Sequence, residues 1–373
     1  MLNDITYQRH EKEIIDVERA ITELRRGGLI LLTDNSEASL VMAMETTTER
    51  DYLRFQHLHH SYHLVITANR AKHSMNSAPS NIHVSIDASH KKLEELQQLS
   101  GLIPQEKAHS TRIYDTTTPA TLIDNAAITL SKAAELLPAT LVITLPDENL
   151  SLQDWARRNG IVTLSVTALN RYQTNIATTL TNVCEASLRL AHAEQARMIA
   201  FRPVTGDKEH YAIIIGNPTE APLVRIHSSC YTGDLLGSLR CDCGDQLQAA
   251  ISLMGADKQG GIILYLMQEG RGIGLTNKLR TYALQETGID TVDANEILGF
   301  EDDERLFQPA AEMLRKLGYN TVQLLTNNFR KAKGLESYGI TVSQCVPHVM
   351  KAHRYNEHYL KTKANRLGHN LPK

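Results

Sequence analysis

Three of the chain's five cysteines, Cys230, Cys241 and Cys243, fall within the stretch "RIHSSCYTGDLLGSLRCDCGDQL". Cys241 and Cys243 are two residues apart, so an extended backbone would project both thiols to one side. Cys230 can return across a loop containing Gly233 and Gly237. Three thiolates arranged in this way chelate one ion. A structural zinc site usually closes with four protein ligands, whereas a catalytic one keeps three and leaves the fourth position to water, whose pKa falls from about 15.7 to about 7. Spacing alone leaves three readings open: a catalytic zinc site, a structural site closed by His227, and three ordinary buried thiols. Under the first, hydrolytic attack on an electrophilic carbon follows. Cys184 and Cys345 stand alone and read as buried small hydrophobes, and an odd, low cysteine count is not a secreted disulfide framework.

Two further clusters carry chemistry. In "LMQEGRGIGLTNKLR", Gly270, Gly272 and Gly274 alternate with Glu269 and Arg271 between a strand and a helix, where backbone N–H groups suit phosphate or another anion. The plain alternative is a tight turn. In "GFEDDERLF", Asp302, Asp303, Glu304 and Arg305 stand together, and "LLTNNFRKAKG" sets Thr326, Asn327, Arg330 and Lys331 at a strand end, where ligands of α/β sheets gather. The plain reading of the acidic run is a helix start whose dipole favours acids.

These clusters need a scaffold, and the hydrophobic pattern supplies one. Val17, Ala20, Ile21 and Leu24 repeat at helical spacing before a Gly-Gly break and the strand "LILLT". "HVSID" and "ATLVITL" read as strands, "AAITLSKAAELL" as a helix, and "SLQDWARRNGIVTLSV" as helix then strand. The stretch "NIATTLTNVCEASLRLAHAEQARM" reads as polar and helical in part, with a domain seam near 190. Beyond it, strand "GGIILYLM", helix "LTNKLRTYALQETG", helix "DERLFQPAAEMLRKLG", strand "NTVQLLT", helix "RKAKGLESYG" and strand "ITVSQ" alternate as in an α/β layer. The basic tail "KTKANRLGHNLPK" reads as a solvated terminus.

At 373 residues the chain has room for two domains. Its 42% hydrophobic and 22% charged residues are those of a globular protein with a sizeable core. A net charge of -3 gives no positive field for nucleic acid. With no signal-peptide core and no long apolar run, a cytoplasmic protein without membrane or nucleic-acid partners is expected.

The runs "RIHSSCYTGDLLGSLRCDCGDQLQAA", "QEGRGIGLTNKLRTYALQETGIDTVDAN", "LGFEDDER", "LLTNN" and "NEHYLKTKANRLGH" together resemble GTP cyclohydrolase II of riboflavin biosynthesis, in order and spacing. The resemblance implies a zinc enzyme that opens the imidazole ring of GTP and releases C8 as formate. It also releases pyrophosphate and leaves 2,5-diamino-6-(5-phosphoribosylamino)pyrimidin-4-one. It implies Cys230, Cys241 and Cys243 as zinc ligands whose bound water attacks C8, Tyr282 as an aid to ring opening, Asp303 as proton acceptor and Arg305 as nucleophile towards the α-phosphate. Residue chemistry alone makes Arg305 a phosphate clamp, since guanidinium stays protonated. The resemblance further implies GTP contacts from Arg225, Ile226, His227, Ser228, Ser229, Gln246, Glu269, Gly270, Arg271, Thr291, Thr326 and Lys331, with magnesium on the triphosphate. Three positions depart from the family pattern: Ser229 replaces the usual Glu before the first zinc cysteine, Met267 a basic residue, and Phe329 a proline.

The first half resembles 3,4-dihydroxy-2-butanone 4-phosphate synthase through "ERAITELRRGGLILL", "LVMAMETTT", "VSIDA" and "LVITLPDENLSLQDWARRNGIVTLSVTAL". That synthase needs several carboxylates after its first strand to hold magnesium and rearrange ribulose 5-phosphate. Here the loop is "TDNSEASL", with Asp34 and Glu37 left and Ser39 at an acidic position, and Asn125 replaces a glutamate in "IDN". The expected architecture is therefore α/β and α+β in two domains. Residues 1–190 form a synthase-like α/β domain without synthase activity, and residues 191–373 a cyclohydrolase II-like α/β domain with the zinc site. A homodimer is expected. Ser229 also motivates two other readings, a divergent cyclohydrolase with altered substrate or partial reaction and a catalytically silent zinc-bearing regulator; the retained Tyr282, Asp303 and Arg305 speak against the second.

Overall fold

A computed structural model describes residues 2–34, 37–75, 81–103, 117–145, 149–204 and 206–350. The "NEHYLKTKANRLGH" motif, the basic tail, and Asn35 and Ser36 of the shortened acidic loop lie outside the described residues. The chain forms two compact units, each assembled from more than one stretch. The first comprises Met1–Thr174, Leu279–Ile289 and Asp293–Asp303, the second Asn175–Lys278, Asp290–Val292 and Glu304–Lys373.

The first unit is built on strands β1 (Ile30–Thr33), β2 (Ala38–Ala43), β3 (His63–Ile66), β4 (Val84–Asp87), β5 (Thr117–Pro119), β6 (Ala139–Leu145) and β7 (Val162–Ser165), in the order β5-β4-β3-β6-β2-β1-β7. Among the described residues only β1 and β7 pair in parallel, and the other pairings are antiparallel. The helical stripe read from the sequence is the buried face of the first helix, with Val17, Ala20, Ile21 and Leu24 all buried. Leu40, Met42, Leu64, Ile66, Leu141 and Ile143 alternate along their strands into one core. Burying each such side chain contributes about 1.5–3 kcal/mol before conformational entropy is charged against it. The helix Leu122–Ala133 starts with a capping box, Thr121 and Asp124 each satisfying the other's backbone N–H.

The second unit is built on β8 (Leu180–Leu190), β9 (Ala193–Pro203), β10 (His210–Ile215), β11 (Leu223–Ser228), β12 (Gly261–Leu266), β13 (Thr321–Leu325) and β14 (Thr341–Val346), in the order β14-β13-β11-β12-β10-β9-β8. Strands β12, β11, β13 and β14 are parallel neighbours, and β10, β9 and β8 continue the sheet antiparallel. Val224, Ile226, Ile262 and Leu264 face helices Gln308–Lys316 and Phe329–Glu336. Ile215 and Ile263 face the helix Cys243–Ala256 through Ala250, Ile251 and Met254. A sheet covered on both faces is the α/β layering expected from the alternation in the sequence.

Three sequence expectations need correction. The stretch after Asn175 forms one short 3-10 turn, Ile176–Thr179, and then the long β8–β9 hairpin. Helix Gln308–Lys316 begins with Pro309 in its first turn, so Asp302, Asp303 and Glu304 precede it without regular structure and do not lie on its dipole. Cys184 is exposed on edge strand β8 and Cys345 only half-buried on edge strand β14, because an edge strand has a neighbour on one side alone.

Candidate active site

The parallel strands of the second unit bring the sequence clusters to one edge. Immediately beyond the carboxyl end of β11 come Ser229 and Cys230, beyond β12 the Glu269–Gly272 turn, and beyond β13 Thr326 and Asn328. Ligands of such sheets bind at this edge.

The thiol sulfurs of Cys230, Cys241 and Cys243 lie within 4.8 Å of one another, the one group of three potential metal ligands among the described residues. Cys230 and Cys241 are 4% and 7% exposed, and their sulfurs are 3.7 Å apart. Cys243 is the first residue of its helix, so the helix start, not an extended strand, turns it towards Cys241. Gly233 makes the convergence possible. A Cβ there would sit 2.8 Å from the Cys241 sulfur and 3.0 Å from the Cys230 sulfur. Hydrogen bonds from the Cys241 and Cys243 thiols, with the Lys278 ammonium, hold the Cys230 pKa below the ordinary thiol range, while Cys241, the donor to that thiolate, is pushed up to about 11. Three soft, convergent thiol ligands fit zinc.

His227 does not complete the group. Its Nε2 lies 3.1 Å from both Asp234 carboxylate oxygens, and its ring stacks on Tyr265 at 5.5 Å. Asp234 also accepts from the Cys230 N–H at 3.0 Å and the Tyr265 hydroxyl at 2.8 Å. Burial pushes the His227 pKa down despite Asp234. Asp234 and Tyr265, unremarked in the sequence, thus brace the first cysteine.

Lys278 was equally inconspicuous. From helix Leu275–Glu286 its Nζ donates to the Cys230 sulfur at 3.0 Å, the Thr232 hydroxyl at 3.0 Å and Glu269 at 2.8 Å. Glu269 accepts from the Tyr231 N–H at 2.6 Å and the Gly270 N–H at 3.0 Å, so the Gly-rich turn and the cysteine loop share one carboxylate. Gly270 and Arg271 are both left-handed, at φ 62° and 64°. Arg271 bears that strain as a non-glycine, at a cost of about 1–2 kcal/mol.

Arg225 and His227 point to the same face of β11. Arg225 is 5% exposed, and its guanidinium donates to the Leu325 carbonyl at 3.1 Å and to Gln246 Oε1. Its Nε and the His227 Nδ1 are buried without a hydrogen-bonding partner. Desolvation lowers the Arg225 pKa to about 10. Gln246 passes the chain on to Asp242 at 2.6 Å. Ile226 buries its side chain in the core and offers its carbonyl to Lys331 Nζ at 2.7 Å, while Ser228 meets Arg305 Nη1 at 3.4 Å. Arg305 also lies over the Phe307 ring at 5.6 Å, and Thr326 Oγ1 accepts from the Asn328 N–H at 3.0 Å. Buried Ser229 extends the ladder, its N–H donating to Leu266 at 2.8 Å. Thr291 belongs to the second unit, at the start of helix Thr291–Ile297; Tyr282 and Asp303 belong to the first.

Residues 181–347 match the GTP cyclohydrolase II family. GTP cyclohydrolase-2 of Xylella fastidiosa is 36% identical over 96% of this chain and 87% of its own. The chain belongs to the GTP cyclohydrolase II family. GTP cyclohydrolase-2 of Azospirillum brasilense is 50% identical over 66% of this chain, and the aligned region spans 64% of that relative. Riboflavin biosynthesis protein RibBA of Phocaeicola vulgatus is 33% identical over 97% of this chain and 98% of its own. Cyclohydrolase II relatives therefore extend over both halves of the chain. No helix of the described residues is long and apolar enough to cross a membrane.

Proposed function

We propose that the chain is a zinc-dependent GTP cyclohydrolase II of riboflavin biosynthesis, releasing formate and pyrophosphate from GTP. The observation that carries the reading is the three-thiol group at the carboxyl edge of β11, in a chain 36% identical over 96% of its length to a GTP cyclohydrolase-2. Cys230, Cys241 and Cys243 would hold the zinc, which when bound supplies a Lewis acid that makes hydroxide available near neutral pH. The orphaned Arg225 Nε and His227 Nδ1 support a polar ligand on that face of β11. Thr291, Thr326, Gln246 and Lys331 are proposed to contact GTP with the Gly-rich turn, and magnesium to accompany the triphosphate. Tyr282 assists ring opening and Asp303 accepts a proton. Arg305, a permanently protonated guanidinium, clamps the α-phosphate. The working form is a homodimer in the cytoplasm.

The first domain, up to about residue 190, is proposed to lack synthase activity. Asp124 is committed to structure, accepting from the Thr121 N–H at 2.9 Å and Ser85 at 3.0 Å and pairing with His63 at 2.8 Å, and Asn125 is exposed beside it.

The deciding assay follows formate, pyrophosphate and the diaminopyrimidine product from GTP with zinc-loaded protein and magnesium. All three should form. Pyrophosphate without formate would replace the reading with a truncated reaction, and no turnover would replace it with a silent regulator. Conversion of ribulose 5-phosphate to dihydroxybutanone phosphate would refute the inactive first domain.

A further inference from the structure

In the first unit, the opening turn of helix Ala68–Ser74 donates to a segment more than two hundred residues further along the chain. Thr67 Oγ1 donates to the Gly299 carbonyl at 2.8 Å, and Arg70 Nη1 to the Ile297 carbonyl at 2.8 Å. Asn69 Nδ2 donates to the Phe300 carbonyl at 3.0 Å and to Glu301 Oε1 at 3.1 Å. Arg70 also donates from Nε and Nη2 to the Leu99 and Gln98 carbonyls at 2.7 and 2.6 Å. Burying a guanidinium against carbonyls is costly, and here it fixes three separate backbone segments to one another.

The gripped segment is shaped for this contact. Gly299 is left-handed at φ 90°, and a Cβ on it would sit 2.8 Å from Thr67 Oγ1 and 3.0 Å from Pro138 Cγ. Leu298 and Phe300 are buried. Residues 297–300 are thus held by three carbonyls, one glycine contact and two buried side chains. Asp303, the last residue of that stretch of the first unit, follows three residues later on backbone without regular structure. Reacting groups on irregular backbone need an external anchor, since a misplacement of about 1 Å can cost about a hundredfold in rate.

We propose that Thr67, Asn69 and Arg70 are positioning residues for the cyclohydrolase reaction, fixing residues 297–301 so that Asp303 emerges in register. The inference rests on the cyclohydrolase reading above and gives the first half of the chain a task that needs no synthase chemistry.

Asn69→Ala, Thr67→Val and Thr67→Ser test it, with Lys72→Ala, exposed on the same helix, as control. The measurements are kcat and KM for GTP, zinc content, and hydrogen exchange of the backbone amides of residues 300–303. Asn69→Ala and Thr67→Val should lower kcat about tenfold to a hundredfold with KM within about twofold. Zinc content should hold, exchange should quicken, and Thr67→Ser should restore both kcat and protection. Wild-type kcat in Asn69→Ala and Thr67→Val overturns the proposal, as does a fall in kcat that comes with zinc loss and a matching rise in KM. Should the wild-type protein release no formate, the cyclohydrolase reading fails by itself. Unchanged exchange in both variants would then sink the clamp, and faster exchange confined to 300–303 would sustain it.

Discussion

The ammonium of Lys278 stands between two anion-forming groups, 3.0 Å from the Cys230 sulfur and 2.8 Å from Glu269. The pair is largely shielded from water, so removing one partner leaves a poorly compensated charge rather than merely a missing bond. Lys278→Met should destabilise the metal-free protein by about 2–4 kcal/mol in urea unfolding, somewhat less than a fully buried pair because Glu269 keeps two backbone donors. Adding Glu269→Gln should recover more than half of that loss. A double variant as unstable as the sum of the singles would show that the pairing is not the source.

Two glycines of the cysteine loop should respond in opposite ways. A methyl on Gly233 would meet the Cys241 and Cys230 sulfurs at 2.8 and 3.0 Å. One on Gly237 would meet nothing within 4 Å, though its φ of 63° disfavours any side chain. Gly233→Ala should therefore lose zinc on dialysis, measured by elemental analysis. Gly237→Ala should keep it and lose only about 1 kcal/mol of stability. Equal zinc retention in the two would show that the ligand set is not closed over Gly233.

What could be read from the sequence followed from local pattern. Val17, Ala20, Ile21 and Leu24 announced the first helix, and β1, β4, β6, β12 and β13 stand where short apolar runs placed them, because each buries neighbouring residues in a common core. β8 escaped because nearly all of it is exposed, so its apolar residues Leu180, Val183, Cys184, Ala186, Leu188 and Leu190 are scattered among polar ones without a longer run to mark them. The helix expected from Asp303 is longer than the observed one because acids suit a helix start, whereas the backbone turns helical only at Gln308, just before Pro309. At the site, cysteine spacing pointed to the three converging thiols, but not to the helix start that aims Cys243. Lys278 reaches Cys230 across 48 residues and Tyr265 reaches Asp234 across 31, which local spacing does not encode, although Asp234 itself sits only four residues from the Cys230 N–H it accepts from.

Burial pushes His210 and His348 down to about 4 each. His210 Nδ1 accepts from the Met267 N–H at 3.1 Å, a bond that protonation of that nitrogen abolishes, and His348 Nε2 meets the Gln246 carbonyl at 2.8 Å. The folded-state pKa values lie below the unfolded value near 6.5, so the stability they contribute is complete above about pH 6.5 and is lost as pH falls towards 4. Calorimetry from pH 7.5 to 4.5 should show Tm declining through that window. His348→Gln keeps a donor for the Gln246 carbonyl without a titrating group and should flatten the decline. The same slope in that variant would acquit His348.

Cys241→Ser should separate metal binding from folding. The variant keeps Cys230 and Cys243 but offers a hydroxyl that does not ionise as a thiol does, and zinc affinity depends on deprotonated ligands. Zinc should fall to a small fraction of stoichiometric after dialysis, and formate release to that of metal-free protein. Full zinc with unimpaired formate release would remove the three-thiol site.

Ser229 puts a neutral hydroxyl beside Cys230, where the resemblance to GTP cyclohydrolase II implies a carboxylate. Magnesium on a nucleotide is held by phosphates with one or two carboxylates and keeps several waters. Restoring the carboxylate in Ser229→Glu should therefore lower, by several-fold, the magnesium concentration giving half-maximal formate release, with the zinc content unchanged because Glu adds no thiol. The site is buried, its backbone N–H tied to Leu266 at 2.8 Å, so the new side chain has to turn towards the strand edge, and kcat should fall modestly from crowding. An unchanged magnesium titration would show that this chain's metal and triphosphate handling does not depend on the position.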